Sequence, residues 1–174
     1  MNVGEWVTKR ALACPEGPFL KHGNQAWDNR GFNARVNRTA RRLLSLGAGK
    51  GGRVALLMGN SPAYLELLFA CAKTGAIVVP LNTGLAVAEL LPIVADCAPR
   101  VLVHSAVCAP KAEALQAQAA AAHMLRPEDF DREEEGRAGS KAFVSGLAPA
   151  VKAKINAAVN LDTVGRLGAG KILA

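Results

Sequence analysis

An α/β fold built on a parallel sheet is what this 174-residue sequence predicts, and three observations lead there. Short apolar runs suited to buried strands recur at Val54–Met58, Ala76–Val79 and Val101–Val103. A segment of helical length and periodicity follows each of them. The connecting loops are short and marked by Gly, Pro, Asn or Ser. Strand–helix alternation of this kind needs crossover connections, which pair strands in parallel and cover both sheet faces. The expected architecture is a parallel sheet of three to four strands with βαβ crossovers. A helix and a short hairpin precede it, and a helical or irregular C-terminal tail follows.

In order along the chain, Val3, Val7 and Leu12 stand near helical spacing over residues 3–13, and Pro15, Gly17 and Pro18 end that helix. Phe19–Leu20 and Ala26–Trp27 flank a Lys-His-Gly-Asn turn, which predicts a hairpin. An amphipathic helix is expected from Asn33 to Leu46: Val36, Ala40, Leu43 and Leu44 share one face, and Gly47 stops it. Arg35, Arg38, Arg41 and Arg42 then fall largely on the opposite, solvated face. After the first strand, Gly59-Asn60-Ser61-Pro62 turns the chain, with Ser61 placed to cap the next helix and Pro62 at its first position. That helix, Ala63–Thr74, is expected to bury Leu65, Leu68, Phe69 and Ala72 and to end at Gly75. Pro80 closes the second strand, and Asn82-Thr83-Gly84 leads into a helix over Ala86–Asp96 that contains Pro92. A fourth helix is expected over Lys111–Ala121. Residues 126–141 read as a polar linker, 147–159 as an Ala-rich helix and 165–174 as a Gly-rich end. The domain expectation is therefore an α/β unit over residues 1–125 and a linker with tail over 126–174.

Composition narrows the function classes. Hydrophobic residues reach 51% while aromatics are only 5%, favouring an Ala/Leu/Val-packed domain over an aromatic-rich binding surface. Residues 1–60 hold 10 Lys/Arg against 3 Asp/Glu, and residues 61–174 hold 11 against 11, so all the excess charge of +7 lies in the first third. A solvated helix face explains that excess most simply; a basic face that binds an anionic partner is the alternative. Aromatics do not interleave with the basic residues, so no specific nucleic acid is expected. Cys14, Cys71, Cys97 and Cys108 lack CxxC spacing, and three of them sit among apolar residues, as free thiols of a reducing compartment do. The N-terminus has no apolar signal core and no run is long enough for a membrane span, so the cytoplasm is the expected location.

Few residues point to chemistry. Gly165–Lys171 matches G-x-x-x-x-G-K, but Ile172 stands where a phosphate loop needs Ser or Thr, and no helix follows. His22, His104 and His123 are scattered without metal-ligand spacing. Glu133, Glu134 and Glu135 form a solvated run, and Ser61 lacks a nucleophile-elbow context. No catalytic set is visible, and no metal ligand.

Four stretches carry a family resemblance: NARVNRTARRLLSLG (33–47), GGRVALLMGNSPAY (51–64), KTGAIVVPLN (73–82) and AELLPIVADCAPRVLV (88–103). In this order and spacing they resemble the N-terminal region of AMP-forming acyl-CoA synthetases, members of the adenylate-forming superfamily. Gly51-Gly52-Arg53-Val54 stands where the family usually has Gly-Asp-Arg-Val, and Gly59 where it usually has Pro. The family's Ser/Thr/Gly-rich phosphate loop ending in Pro-Lys-Gly does not occur, and residues 126–174 are expected to have no family match. The resemblance implies a parent enzyme that activates a carboxylic acid with ATP and Mg to an acyl-adenylate and passes the acyl group to coenzyme A (CoA). It implies a truncated N-terminal fragment that needs no cofactor of its own and meets acid and CoA only within the full enzyme. It also implies CoA-side contacts at Asn82 and Thr83, in a loop at the carboxyl end of a strand. Self-association through surface that the full enzyme would cover is a further expectation.

Overall fold

The computed structural model describes residues 3–118 and 123–130. Its first helix, α1 (Gly4–Ala13), is followed by the hairpin of β1 (Pro18–His22) and β2 (Gln25–Asp28). The hairpin loop is two residues long, with Gly23 at φ +58°, the left-handed conformation that a tight loop between twisted strands demands. Of the three apolar residues expected to line α1, only Val7 is buried; Val3 is 49% and Leu12 64% exposed.

Helix α2 (Asn29–Ser45) begins four residues earlier than the sequence suggests. Asp28 caps it by accepting a hydrogen bond from the Gly31 amide at 2.6 Å, so Gly31 lies inside the first turn and is no breaker. The early start brings Phe32 onto the Val36 face, where it is 1% exposed. The arginine face also needs correction. Arg35 turns inward, and its Nε donates to the buried Glu66 carboxylate at 2.9 Å.

Strand β3 (Arg53–Leu57) leads into α3 (Pro62–Thr74), capped by the Ser61 hydroxyl, which accepts from the Tyr64 amide at 3.2 Å. Such a cap contributes about 1 kcal/mol. Gly75 ends the helix at φ +76°. The wholly buried stripe of α3 is Leu67, Ala70 and Cys71 with Glu66, whereas Leu65, Leu68, Phe69 and Ala72 are half-buried. That is a shift from the expected face, and its cause is α2. Helix α3 is covered by the sheet on one side and by α2 on the other, and Glu66 faces α2 with hydrogen bonds from Arg35 and Thr39.

Strand β4 (Ile77–Pro80) includes Pro80 as its last residue. As the edge strand it has no second neighbour asking for that missing amide. Helix α4 (Val87–Cys97) runs through Pro92 and ends at Ala98 in the left-handed region, φ 39°. Strand β5 (Val101–His104) precedes α5 (Ala109–Gln118), which starts two residues before the expected Lys111; Ala119–Ala121 lie outside the described residues. A fourth strand, β6 (His123–Leu125), completes the sheet. The expected helix over 147–159 and the Gly-rich end lie outside the described residues.

All pairings in the sheet are parallel and the strand order is β4-β3-β5-β6. Alternate residues serve opposite faces. Val54, Leu56, Val101 and Val103 pack against α1, α2 and α3, while Ala55, Leu57 and Leu102 pack against α4 and α5. The α3 crossover moves one way across the sheet on one face, and the α4 crossover moves the other way on the opposite face. That combination gives both crossovers the same hand. Phe130, past residue 125, is 3% exposed and belongs to the core on the α2–α3 side.

Candidate functional site

In an open parallel sheet, ligands bind outside the carboxyl ends of the strands, where successive crossovers depart to opposite faces. Here that place lies between β3 and β5. On the β3 side stand Gly59, Asn60 and Ser61, with the capped N-terminus of α3 behind them. On the β5 side stand His104 and Ser105, held close because the Ser105 amide donates to the Leu57 carbonyl at 3.2 Å. His104 is 3% exposed, with its Nδ1 3.0 Å from the Ser105 carbonyl oxygen.

Asn82 and Thr83 fall at the same carboxyl edge but one strand away, after β4. The exposed Asn82 uses its side chain on its own loop: Oδ1 accepts from the Gly84 amide at 2.9 Å. This is an Asx turn, and it leaves the Asn82 amide group as the free donor. Thr83 is half-buried, and its carbonyl accepts from Lys111 Nζ at 2.7 Å. The same ammonium donates to the Leu85 carbonyl at 2.8 Å. Lys111, from the first turns of α5, thus ties the loop after β4 to the helix after β5.

Two residues of this edge escape the sequence reading. Lys111 looks like an ordinary helix cation, and its two carbonyl partners lie 28 and 26 residues away. His104 closes an apolar strand, and a histidine that ends a wholly buried run was the one available signal. No group of three His, Cys, Asp or Glu that could hold a metal ion occurs among the described residues. Asn60, the Asn82 amide, Thr83 and His104 supply hydrogen-bonding groups suited to positioning a polar ligand. The cations named at this edge are engaged: Lys111 by two carbonyls, and Arg126, after β6, facing Glu128 at 4.0 Å.

Fold and edge together define a doubly covered parallel α/β unit whose loops gather at the carboxyl side of its sheet. The family model for AMP-binding enzymes matches residues 7–161, and the chain belongs to that family. The match reaches well past residue 125, which corrects the expectation that residues 126–174 have no family match. Long-chain-fatty-acid–CoA ligase FadD13 of Mycobacterium tuberculosis is 46% identical over 122 residues, covering 68% of this chain and 24% of the relative. Feruloyl-CoA synthase of an Amycolatopsis species is 42% identical over 104 residues, covering 60% of this chain and 21% of the relative. Among solved structures, the N-terminal domain of FACL13 from M. tuberculosis superposes with a TM-score of 0.72 at 32% identity, over 80% of this chain and 37% of that one. The chain therefore spans less than a quarter of the length of these two curated relatives. No helix among the described residues is long and apolar enough to cross a membrane.

Proposed function

We propose that this chain is the N-terminal portion of an acid–thiol ligase of the acyl-CoA synthetase kind and does not adenylate by itself. The observation that carries this reading is the family match over residues 7–161 in a chain that spans only 21–24% of its ligase relatives. The parent reaction joins a carboxylic acid to ATP, releasing pyrophosphate and forming an acyl-adenylate, whose acyl group then passes to the CoA thiol. ATP, Mg and CoA would serve that full enzyme, with acid and CoA as its substrates and the cytoplasm as its location.

Within this reading the chain contributes a scaffold. Its sheet holds the loop after β4 in a fixed place, Lys111 anchors that loop through two carbonyls, and Asn82 and Thr83 offer an amide and a hydroxyl toward CoA. Neutralising the phosphates of ATP is the larger electrostatic task in adenylation. The engaged cations at this edge support assigning that task to other parts of the parent enzyme.

ATP–pyrophosphate exchange with the purified 174-residue chain, across a panel of fatty and aryl acids, tests the proposal. Exchange at the level of a protein-free blank is expected. Acid-dependent exchange above that blank would overturn it.

A further inference from the structure

Half of the large hydrophobic side chains exposed among the described residues belong to one short segment. Val3, Trp6 and Leu12 stand on α1 or at its start, whereas Ile77, Ile93 and Val107 are dispersed. Val3, Trp6 and Arg10 follow one another at helical spacing and so form one stripe. Beside the stripe lies a cavity of about 290 Å³, where Trp6, Val7 and Arg10 meet Phe19 of β1 and Phe69 of α3. Its far wall is preformed: the Phe19 ring stacks on Phe32, centroids 4.3 Å apart, and meets the edge of Phe69 at 6.1 Å. Val7, 1% exposed, is part of the core, but Trp6 is 53% exposed, a large apolar surface left for something to cover.

Charge at the rim is just as limited. Arg10 is exposed, and its guanidinium has no ion-pair or hydrogen-bond partner among the described residues. Lys9 beside it is already paired with Glu5 at 3.4 Å. One open guanidinium matches one carboxylate, whereas a nucleic acid or an anionic bilayer calls for several open cations. The volume, at the lower limit of small-molecule sites, gives room for a single side chain. Two of its walls are exposed, so that side chain fits best as the anchor of a larger surface laid over the rim. Trp and Arg are also the residue types that most often dominate such contacts.

From these features we infer that the α1 stripe and its cavity dock a protein segment that carries one apolar anchor side chain and a nearby carboxylate. The anchor enters between Trp6 and the Phe19–Phe69 wall, the carboxylate meets Arg10, and Val3 extends the apolar contact. Trp6 and Arg10 are four residues apart on a helix, so the partner's anchor and carboxylate stand about 6 Å from each other. A helical segment with the two groups one turn apart satisfies that spacing. The inference rests on α1 and its neighbours and is independent of the ligase reading.

Nitrogen-labelled full chain titrated with end-blocked, Ala/Gln-based helical peptides tests it by amide and indole chemical shifts. The first peptide carries one Leu and, one turn on, one Glu; a second has Gln for Glu, and a third has Ala for Leu. The first is expected to give saturable shifts at Trp6, Val7 and Phe19. The Gln peptide should bind about threefold more weakly, as for an exposed ion pair, and the Ala peptide about tenfold more weakly, as for an unfilled anchor site. Arg10→Gln, at an exposed position, should erase the preference for Glu over Gln. Non-saturating shifts, equal affinity for the Leu and Ala peptides, a Glu preference that survives Arg10→Gln, or shifts confined to other residues would each overturn the site. So would concentration-dependent shifts of Trp6, Val7 and Phe19 in the peptide-free chain, which would give the groove to a second copy. Loss of the same signals on phosphatidylglycerol vesicles alone, with no response to peptide, would give it to a membrane and overturn the proposal as well.

Discussion

The two faces of the parallel sheet are buried by different means. On the α4–α5 side the contact is aliphatic: Ala55, Leu57, Leu90, Val94, Leu102 and Leu115 close on one another. On the α2–α3 side a larger core with stacked aromatics is overlaid by a polar seam between two helices. Along that seam, Glu66 accepts from Arg35 and Thr39, while Lys73 Nζ donates to Asn33 Oδ1 at 2.6 Å and Asn37 Oδ1 at 2.5 Å. Arg35 and Thr39, like Asn33 and Asn37, are four apart on α2, and Glu66 and Lys73 are two turns apart on α3, so each acceptor or donor meets a matched pair. The aliphatic face can tolerate sliding, since dispersion contacts have little directionality. The seam fixes the register of α2 against α3.

The sharpest way to break this comparison is to hollow each face in turn. Phe32→Ala removes the ring that stacks on Phe19 and should cost about 3–5 kcal/mol of unfolding free energy, measured by urea denaturation. Leu57→Ala on the other face should cost about 2–4 kcal/mol, because no aromatic cluster depends on it. Equal losses would mean that the aromatic cluster adds nothing to plain burial. A smaller effect is expected at the seam. Glu66→Gln keeps the shape but removes the buried charge that Arg35 meets, at a cost of about 2 kcal/mol. The double variant Arg35→Met with Glu66→Leu should recover much of that loss while blurring the amide NMR spectrum of α2, if the seam supplies register more than stability. A double variant less stable than Glu66→Gln would assign it the opposite role.

The gentlest test uses the thiols. Burial pushes Cys71 up from 9.0 to about 12, so the folded chain holds that proton where the unfolded chain releases it. The contribution is intact below pH 9 and is lost as pH rises from 9 toward 12. Cys71→Ala should flatten that part of the decline in thermal midpoint, and in native protein the exposed Cys14 should alkylate well before Cys71. Comparable alkylation rates for Cys14 and Cys71 would contradict a sealed α2–α3 face.

Local rules made the strands and helix stops legible. Ser61, Pro62 and Gly75 act where cap chemistry puts them, and the apolar runs are the sheet. What a single strand of text could not show is who faces whom. Leu65, Leu68 and Phe69 outnumber Glu66 in hydrophobicity, yet Glu66 is the more buried, because Arg35 and Thr39 of another helix make its burial affordable in hydrogen bonds. From the sequence the helix is expected to start only at Asn33, although the Asp28 carboxylate caps it from five residues earlier. The place of Asn82 and Thr83 after a strand was legible in the sequence, whereas that of Lys111 and His104 beside them required the topology that brings β4 and β5 either side of β3. The bond that Asn29 Nδ2 donates to the Cys14 carbonyl had no sequence signal at all, since its partners lie fifteen residues apart.

The order β4-β3-β5-β6 has a consequence for how the chain is made. During synthesis β3 emerges first, and β4 can pair with it as soon as α3 is complete. β5 then finds the other side of β3 open, and β6 finds β5. After β3, each further strand (β4, β5 and β6) has a neighbour already upstream when it leaves the ribosome, so β3 alone among them waits for a partner, and only until α3 and β4 have followed.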